Sequence, residues 1–281
     1  MAIGSGAPST EELKRVPHHL VGTLEPHVRL SAGEYARLAR QVIDGILTRG
    51  RLPIVVGGSG LYIRALMDGL APIPPSDPQL RREIEQRIDQ QGMETMIGEL
   101  RLIDPEYAGK VGQNDRKRLI RALEVWETTG RTFSSWHDAQ TGQDWCQALF
   151  FGLDRPRSEL HGLITKRVDE MLENGWVDEV RSLKTRYGGL DKMPLSVMES
   201  VGYKDVAAFL KGEVDLDSAR ERIIISTRQF AKRQLTWFRA DKRVNWLEES
   251  GPDAAESWME WILKHLEKVS IKGNMVQEKS A

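Results

Sequence analysis

Two groups of residues in this chain could do chemistry. The first lies in "LPIVVGGSGLYIRALMDGL" (52–70), where Gly57, Gly58, Ser59 and Gly60 separate a strand-like run from an apolar, helix-period segment. That layout suits a phosphate-binding loop. A P-loop, however, needs G-x-x-x-x-G-K-[ST], whose Lys reaches across phosphates cradled by backbone N–H groups. Here Leu61 and Tyr62 follow the turn, and the motif occurs nowhere in the sequence. Ser59 could be a nucleophile only beside a base, and G-x-S-x-G is absent. A hydrogen bond from Ser59 to a substrate is the better reading.

The second group is cationic. Between 228 and 243 stand Arg228, Lys232, Arg233, Arg239, Lys242 and Arg243 against the single acid Asp241. At 100° per residue, Arg228, Lys232 and Arg239 fall within about 40° of one another. Gln229 and Thr236 flank that face, and Trp237 and Phe238 add stacking or core surface. Cations, amides and an aromatic on one helix suit RNA or a polyphosphate. The competing readings are a solvated helix face and, for Trp237, a core anchor. A second basic segment, "NDRKRLIRALEVW", sets Lys117 and Arg121 one turn apart with Arg118 beside them. Side chains so spaced can each reach a backbone phosphate, or can simply face solvent. Arg155 and Arg167 are diphosphate candidates, or helix-end and helix-face charges. His18-His19 has no carboxylate motif around it and reads as structural.

These residues need elements to hold them. Residues 34–49 place Tyr35, Leu38, Val42 and Ile46 on one helical stripe, and Ile54-Val55-Val56 reads as a short strand before the glycine turn. "APIPPSDPQL" is a proline-rich hinge in which Asp77-Pro78 suits an N-cap and first helical position. The chain then reads helical to about 140, broken at Pro105 and near Gly112, with Asp115 as a cap. Strand character returns at 147–155. One long amphipathic helix is expected over 158–185, with Leu160, Leu163, Ile164, Val168, Met171, Leu172 and Val180 inward. A second spans 217–240, "RVNWLE" is a late strand, 252–268 a closing helix, and the last dozen residues are polar and disordered. The pattern is α/β: a core of 1–74 and 145–281 carrying a helical insertion at 75–144.

Totals narrow the classes. The chain has 281 residues, 40% hydrophobic and 29% charged, with a net charge of −1. A basic stripe on a neutral protein marks a local site. The single cysteine, Cys146, excludes an internal disulfide framework and a cysteine-rich zinc site. No run of about 18 apolar residues and no signal-like N-terminus occurs, so the expected compartment is the cytoplasm.

Taken in order, "VPHHL", "PIVVGGSGLYIRALMDGL", "NDRKRLIRALEV", "SVGYKD" and "TRQFAKRQLTWFR" match one family from about residue 3 to 247. The chain resembles the bacterial tRNA dimethylallyltransferases, also called tRNA isopentenyltransferases. The resemblance implies transfer of a dimethylallyl group from dimethylallyl diphosphate to N6 of the adenosine 3′ to the anticodon, in tRNAs reading codons that begin with U. It implies a P-loop-NTPase-like parallel core, a helical insertion that grips the anticodon stem-loop, a monomer, Mg²⁺ on the leaving diphosphate, and a flipped target base. Carried onto this chain, Ser59 meets the flipped adenine within the acceptor-base loop 57–60, and Arg81 is a tRNA contact. So are Lys117, Arg118, Leu119, Ile120 and Arg121. So too are Glu199, Ser200, Val201, Gly202, Tyr203 and Lys204. The last set is Lys232, Arg233, Gln234, Trp237 and Arg239, next to Arg228 and Gln229.

The pattern also departs from the family. Members open with a strand, the P-loop and an "Asp-Ser-x-Gln-x-Tyr" strand end that holds the general-base Asp. This chain opens at "MAIGSGAPSTEELKRVPHHL", which resembles a stretch roughly 40 residues further in, about one βαβ unit. The resemblance therefore assigns no catalytic residue here and leaves the metal's P-loop ligand outside the sequence. It predicts weak transfer and a destabilised sheet, since an unneutralised leaving diphosphate costs many kcal/mol. A start codon placed too late is the first explanation, ahead of a truncation or a remnant. Two rival functions are an adenylate isopentenyltransferase and a non-catalytic tRNA-binding remnant.

Overall fold

The computed structural model describes residues 1–138, 145–247 and 256–266. The described fold is α/β and mostly helical, with a small parallel sheet. Two compact units emerge: 1–34, 38–60 and 147–281 form the first, and 35–37 with 61–146 the second.

In the first unit, α1 (Thr10–Arg15) and α2 (Ala32–Thr48) each start with a capping box, Ser9 with Glu12 and Ser31 with Glu34. The buried face of α2 is Ala32, Ala36, Ala39 and Ile43. The stripe expected at Tyr35, Leu38, Val42 and Ile46 is only half-buried and lies one position round the helix from the buried alanine face. The strand expected at Ile54–Val56 does not form: Ile54 is 77% exposed and Val56 89%. β-branched residues favour a ladder but cannot make one without a partner strand beside them.

The only strands among the described residues are β1 (Phe150–Leu153) and β2 (Val244–Leu247). They pair in parallel, Phe150 opposite Val244 and Leu153 opposite Leu247. Between them run α9 (Arg157–Glu173), α10 (Trp176–Tyr187), a 3₁₀ turn (Leu190–Lys192), α11 (Leu195–Met198), α12 (Tyr203–Leu210) and α13 (Leu216–Ala240). The single helix expected over 158–185 is two, since Gly175 takes φ 93° and turns the chain. Leu163, expected inward, is exposed. Trp176, Val180, Val197, Tyr203, Val206 and Ile223 form the heart of this core. A further helical segment occupies 256–266; the remainder of the closing helix and the expected disordered tail lie outside the described residues.

Asp205 is the misfit in that core. It is buried, its Oδ2 has no hydrogen-bond partner, and burial pushes its carboxyl above the usual range despite Lys204 and Arg222 nearby. A raised folded pKa means that stability falls as pH rises past the ordinary Asp value, where the unfolded chain ionises more readily. Asp205→Asn is therefore expected to gain about 1 kcal/mol at pH 7 and to flatten that slope, read from urea midpoints at pH 4 and pH 7.

The second unit holds most of α3 (Gly60–Met67), then α4 (Pro78–Gln91), α5 (Met93–Ile103), α6 (Pro105–Ala108), α7 (Arg116–Thr129) and α8 (Phe133–Asp138). Asp77 caps α4 with Pro78 at its first position, and the Asp115 side chain accepts the Arg118 N–H at the start of α7. Ile84, Met96, Leu100, Leu119 and Leu123 fill the core of this unit. Tyr35 and Tyr62 stack with ring centroids 4.5 Å apart.

Candidate nucleic-acid interface

In the first unit the glycine turn lies flat on α13. A Cβ on Gly58 would fall 1.9 Å from Gln234 Nε2, and one on Gly60 would fall 2.1 Å from the Trp237 indole. Neither glycine has positive φ. Close approach, and not an unusual backbone, calls for glycine at Gly60, while at Gly58 only the movable end of Gln234 is in the way. Ser59 projects from this turn into solvent. Trp237 is 40% exposed, so it braces the turn with one part of its ring and keeps another open for stacking. The core-anchor reading is not what the structure shows.

Along α13 the cations differ. Lys232 is exposed and pairs with no carboxylate among the described residues. Arg239 is held by Asp154, Nη2 to Oδ2 2.9 Å. Arg233 lies 5.8 Å from the Phe230 ring centroid, and Gln229 is exposed. Thr236 spends its hydroxyl proton on the Lys232 carbonyl (2.9 Å) and keeps only acceptor capacity. Arg228 is half-buried: its Nη2 donates to Thr165 Oγ1 (3.1 Å), while its Nε is buried without a partner. It lines an open groove of about 710 Å³ between α9 and α13, with His161, Thr165, Lys166 and the three acids Asp169, Glu170 and Glu173. The other cations there are already neutralised, Arg220 by Asp169 and Lys166 by Glu170. Burial, helped by Arg228 and Arg157, holds His161 below the usual imidazole range. Arg228 is thus the lining cation without an ion-pair partner, in a groove to which Glu173 adds a further acid.

Of the segment 199–204, little is available to a ligand. Glu199 pairs with Arg29 at 2.8 Å, and Lys204 is exposed. Ser200 donates to the Ser196 carbonyl, Val201 is half-buried, and Gly202 (φ 88°) sits against the Trp176 ring. Tyr203 is fully buried, its hydroxyl donating to Glu179 Oε1 at 2.7 Å. Glu179 also accepts the N–H of Ile3 (2.8 Å) and of Gly4 (3.2 Å). Val201, Gly202 and Tyr203 are therefore packing residues and not contacts, because solvent-facing positions on this turn are few. Glu179 was invisible in the sequence, although an acid three residues after Trp176 on an apolar stripe was a usable signal.

The diphosphate candidates do not form one clamp. Arg155 is paired with Glu159. Arg167 lies over Gly6, whose Cβ would fall 1.9 Å from its Nη2. About 15 Å of helix separates the start of α9 from Arg167. His18 and His19 are exposed, His18 Nδ1 donating to the Val16 carbonyl. Among the described residues no three His, Cys, Asp or Glu side chains converge.

In the second unit Lys117 and Arg118 are exposed on the first turn of α7, Arg118 near Asp115. Arg81 pairs with Glu85 one turn along α4. Leu119 and Ile120 are core residues, 0% and 2% exposed, and cannot touch RNA. Arg121 is turned inward, onto Glu124 and the Pro74 carbonyl. No described helix is long and apolar enough to cross a membrane.

The family model described as IPP transferase matches residues 1–241. The chain is 39% identical over 277 residues to a tRNA dimethylallyltransferase of Geobacillus thermodenitrificans, covering 98% of this chain and 87% of that one. It is 44% identical over 250 residues to tRNA dimethylallyltransferase 1 of Citrifermentans bemidjiense, covering 89% and 79%. The solved tRNA isopentenylpyrophosphate transferase of Bacillus halodurans superposes with a TM-score of 0.66 at 32% identity, covering 98% of this chain and 86% of that one. A eukaryotic dimethylallyltransferase solved acting on tRNA gives 0.72 at 26% identity, covering 88% and 63%. With its motifs in order and a family match over residues 1–241, the chain belongs to the IPP transferase family.

Proposed function

We propose that the protein transfers the dimethylallyl group of dimethylallyl diphosphate to N6 of the adenosine 3′ to the anticodon, in tRNAs reading codons that begin with U. The observation that carries this is the 39% identity over 98% of the chain to a tRNA dimethylallyltransferase. The N6 nitrogen attacks C1 of the dimethylallyl group, the C1–O bond breaks, diphosphate departs, and N6 gives up a proton. The glycine turn supports the acceptor half of this reaction. A flipped adenine needs a flat backbone and a hydrogen-bonding group, and Ser59 beside Gly58 and Gly60 supplies both. Lys232, Gln229 and the open part of Trp237 suit the RNA strand that carries the base. The half-buried Arg228 offers an oxyanion an Nε–H without a partner, against the three acids Asp169, Glu170 and Glu173 that line the same groove. In this reading the helical segment 75–144 grips the anticodon stem with Arg81, Lys117 and Arg118, and the protein works as a cytoplasmic monomer.

The test is transfer from labelled dimethylallyl diphosphate, with Mg²⁺ present, to unmodified anticodon stem-loop RNA and, in parallel, to AMP. Label on adenine N6 of the RNA, acquired slowly as the absent P-loop motif predicts and with AMP unlabelled, is expected. Labelled AMP would move the protein to the mononucleotide prenyltransferases. RNA that binds without acquiring label would leave it a binding protein.

A further inference from the structure

The strap Pro74–Asp77 enters the second unit with two adjacent prolines, which have no N–H to offer. It is fastened instead by Glu124, a carboxylate 1% exposed on α7. Glu124 Oε1 accepts the Ser76 hydroxyl at 2.5 Å and the Asp77 N–H at 2.6 Å. Glu124 Oε2 accepts Arg121 Nη1 at 3.0 Å, and Arg121 Nη2 donates to the Pro74 carbonyl at 2.7 Å. Asp77 in turn caps α4, accepting the N–H of Gln79 at 2.8 Å. A buried carboxylate survives only when paired and hydrogen-bonded, and here both oxygens are used.

We propose that Arg121 and Glu124 are positioning residues and not RNA contacts. They lock the strap to α7 and so set the start of α4, which carries Arg81, against the turn of α7 that carries Lys117 and Arg118. RNA would meet these three cations as one preformed surface, and the ordering cost is met in folding instead of in binding. The resemblance placed Arg121 among the RNA contacts; the geometry gives it different work. This inference rests on the RNA-binding reading above.

The test is the salt dependence of anticodon stem-loop binding for the full chain and four variants: Arg121→Gln, Arg121→Lys, Glu124→Gln and Lys117→Gln. Losing a phosphate contact lowers the slope of log K against log salt by about 0.7–0.9, so Lys117→Gln should show that drop. Arg121→Gln and Glu124→Gln should weaken binding about tenfold at every salt concentration with the slope unchanged, the size of one lost hydrogen bond. Arg121→Lys should fail to rescue, because one ammonium cannot span Glu124 and Pro74 together, whereas a phosphate contact would tolerate Lys. A reduced slope in Arg121→Gln with rescue by Lys overturns the proposal. So does unchanged affinity in both Arg121→Gln and Glu124→Gln, which would make the lock merely structural. If the wild type shows no salt-dependent binding, the RNA-binding reading fails by itself. Amide exchange of residues 74–80 then judges the lock: faster exchange in Glu124→Gln supports it, unchanged exchange overturns it.

Discussion

Glu179→Leu is expected to cost about 3 kcal/mol, because it strands the buried Tyr203 hydroxyl and two part-buried backbone N–H groups, and an unmet buried donor costs about 1–3 kcal/mol. The donors are the Tyr203 hydroxyl and the N–H groups of Ile3 and Gly4. Glu179→Gln keeps one acceptor oxygen and should lose less, so the pair separates lost charge from lost hydrogen bonding. The measurement is the urea midpoint of each variant. Its pH dependence carries a sign. Burial alone pushes the Glu179 carboxyl up, but the donors from Tyr203, Ile3 and Gly4 together outweigh it and hold the carboxyl below its usual range. The unfolded chain then binds the proton more readily than the folded one. The contribution is therefore present above the ordinary Glu value and is lost as pH falls through the depressed folded value. Wild-type stability should drop below about pH 4, and Glu179→Gln should lack that part of the drop. Tyr203 stays a donor throughout, since burial and the Glu179 carboxylate both raise its hydroxyl pKa.

Gly60→Val is expected to weaken anticodon stem-loop binding by about 10- to 100-fold while leaving the second unit folded. A Cβ on Gly60 meets the Trp237 indole at 2.1 Å, so either the ring swings out or the turn lifts from α13. Overpacking of this kind costs about 1–3 kcal/mol, and every 1.4 kcal/mol is tenfold in affinity. Two glycines in the same turn act as controls. Gly57→Ala meets nothing within 4 Å and should be silent. Gly58→Ala meets only the movable end of Gln234 and should cost a few-fold at most. Equal effects at all three positions would mean that the turn tolerates no side chain for reasons unrelated to its seat on α13.

Elements with local signals were legible in the sequence. The long helix α13 runs within a residue of its expected start and ends where expected. Asp77-Pro78 and Asp115 cap as their types require. Both strands were visible as apolar runs, but their parallel pairing across some 90 intervening residues was not. The errors share one cause. Periodicity reports that a side chain can be buried, never which neighbour will cover it. Ile54 and Val56 read as strand yet stand in solvent. Tyr203 read as a contact yet closes over Glu179, whose other partners lie about 175 residues away. Arg121 read as an RNA ligand yet faces Pro74. The motifs marked the segments; the long-range bonds decided which of their residues face outward.

The exposed run Leu52–Val56 has a consequence outside catalysis. Five uncharged residues rich in β-branched side chains, lying open in a folded protein, are the kind of segment through which chains recognise one another as cross-β templates. Pro53 interrupts the run at its second position and Arg51 guards its entrance. Its far end has no such gatekeeper: Gly57, which follows directly, has nothing within 4 Å of where a Cβ would stand, and the glycine held against a rigid group of α13 is Gly60, on Trp237. A charged residue at position 57 would therefore guard that end and leave the seat on α13 untouched, which separates the solubility of this run from the glycine that holds the turn on its helix.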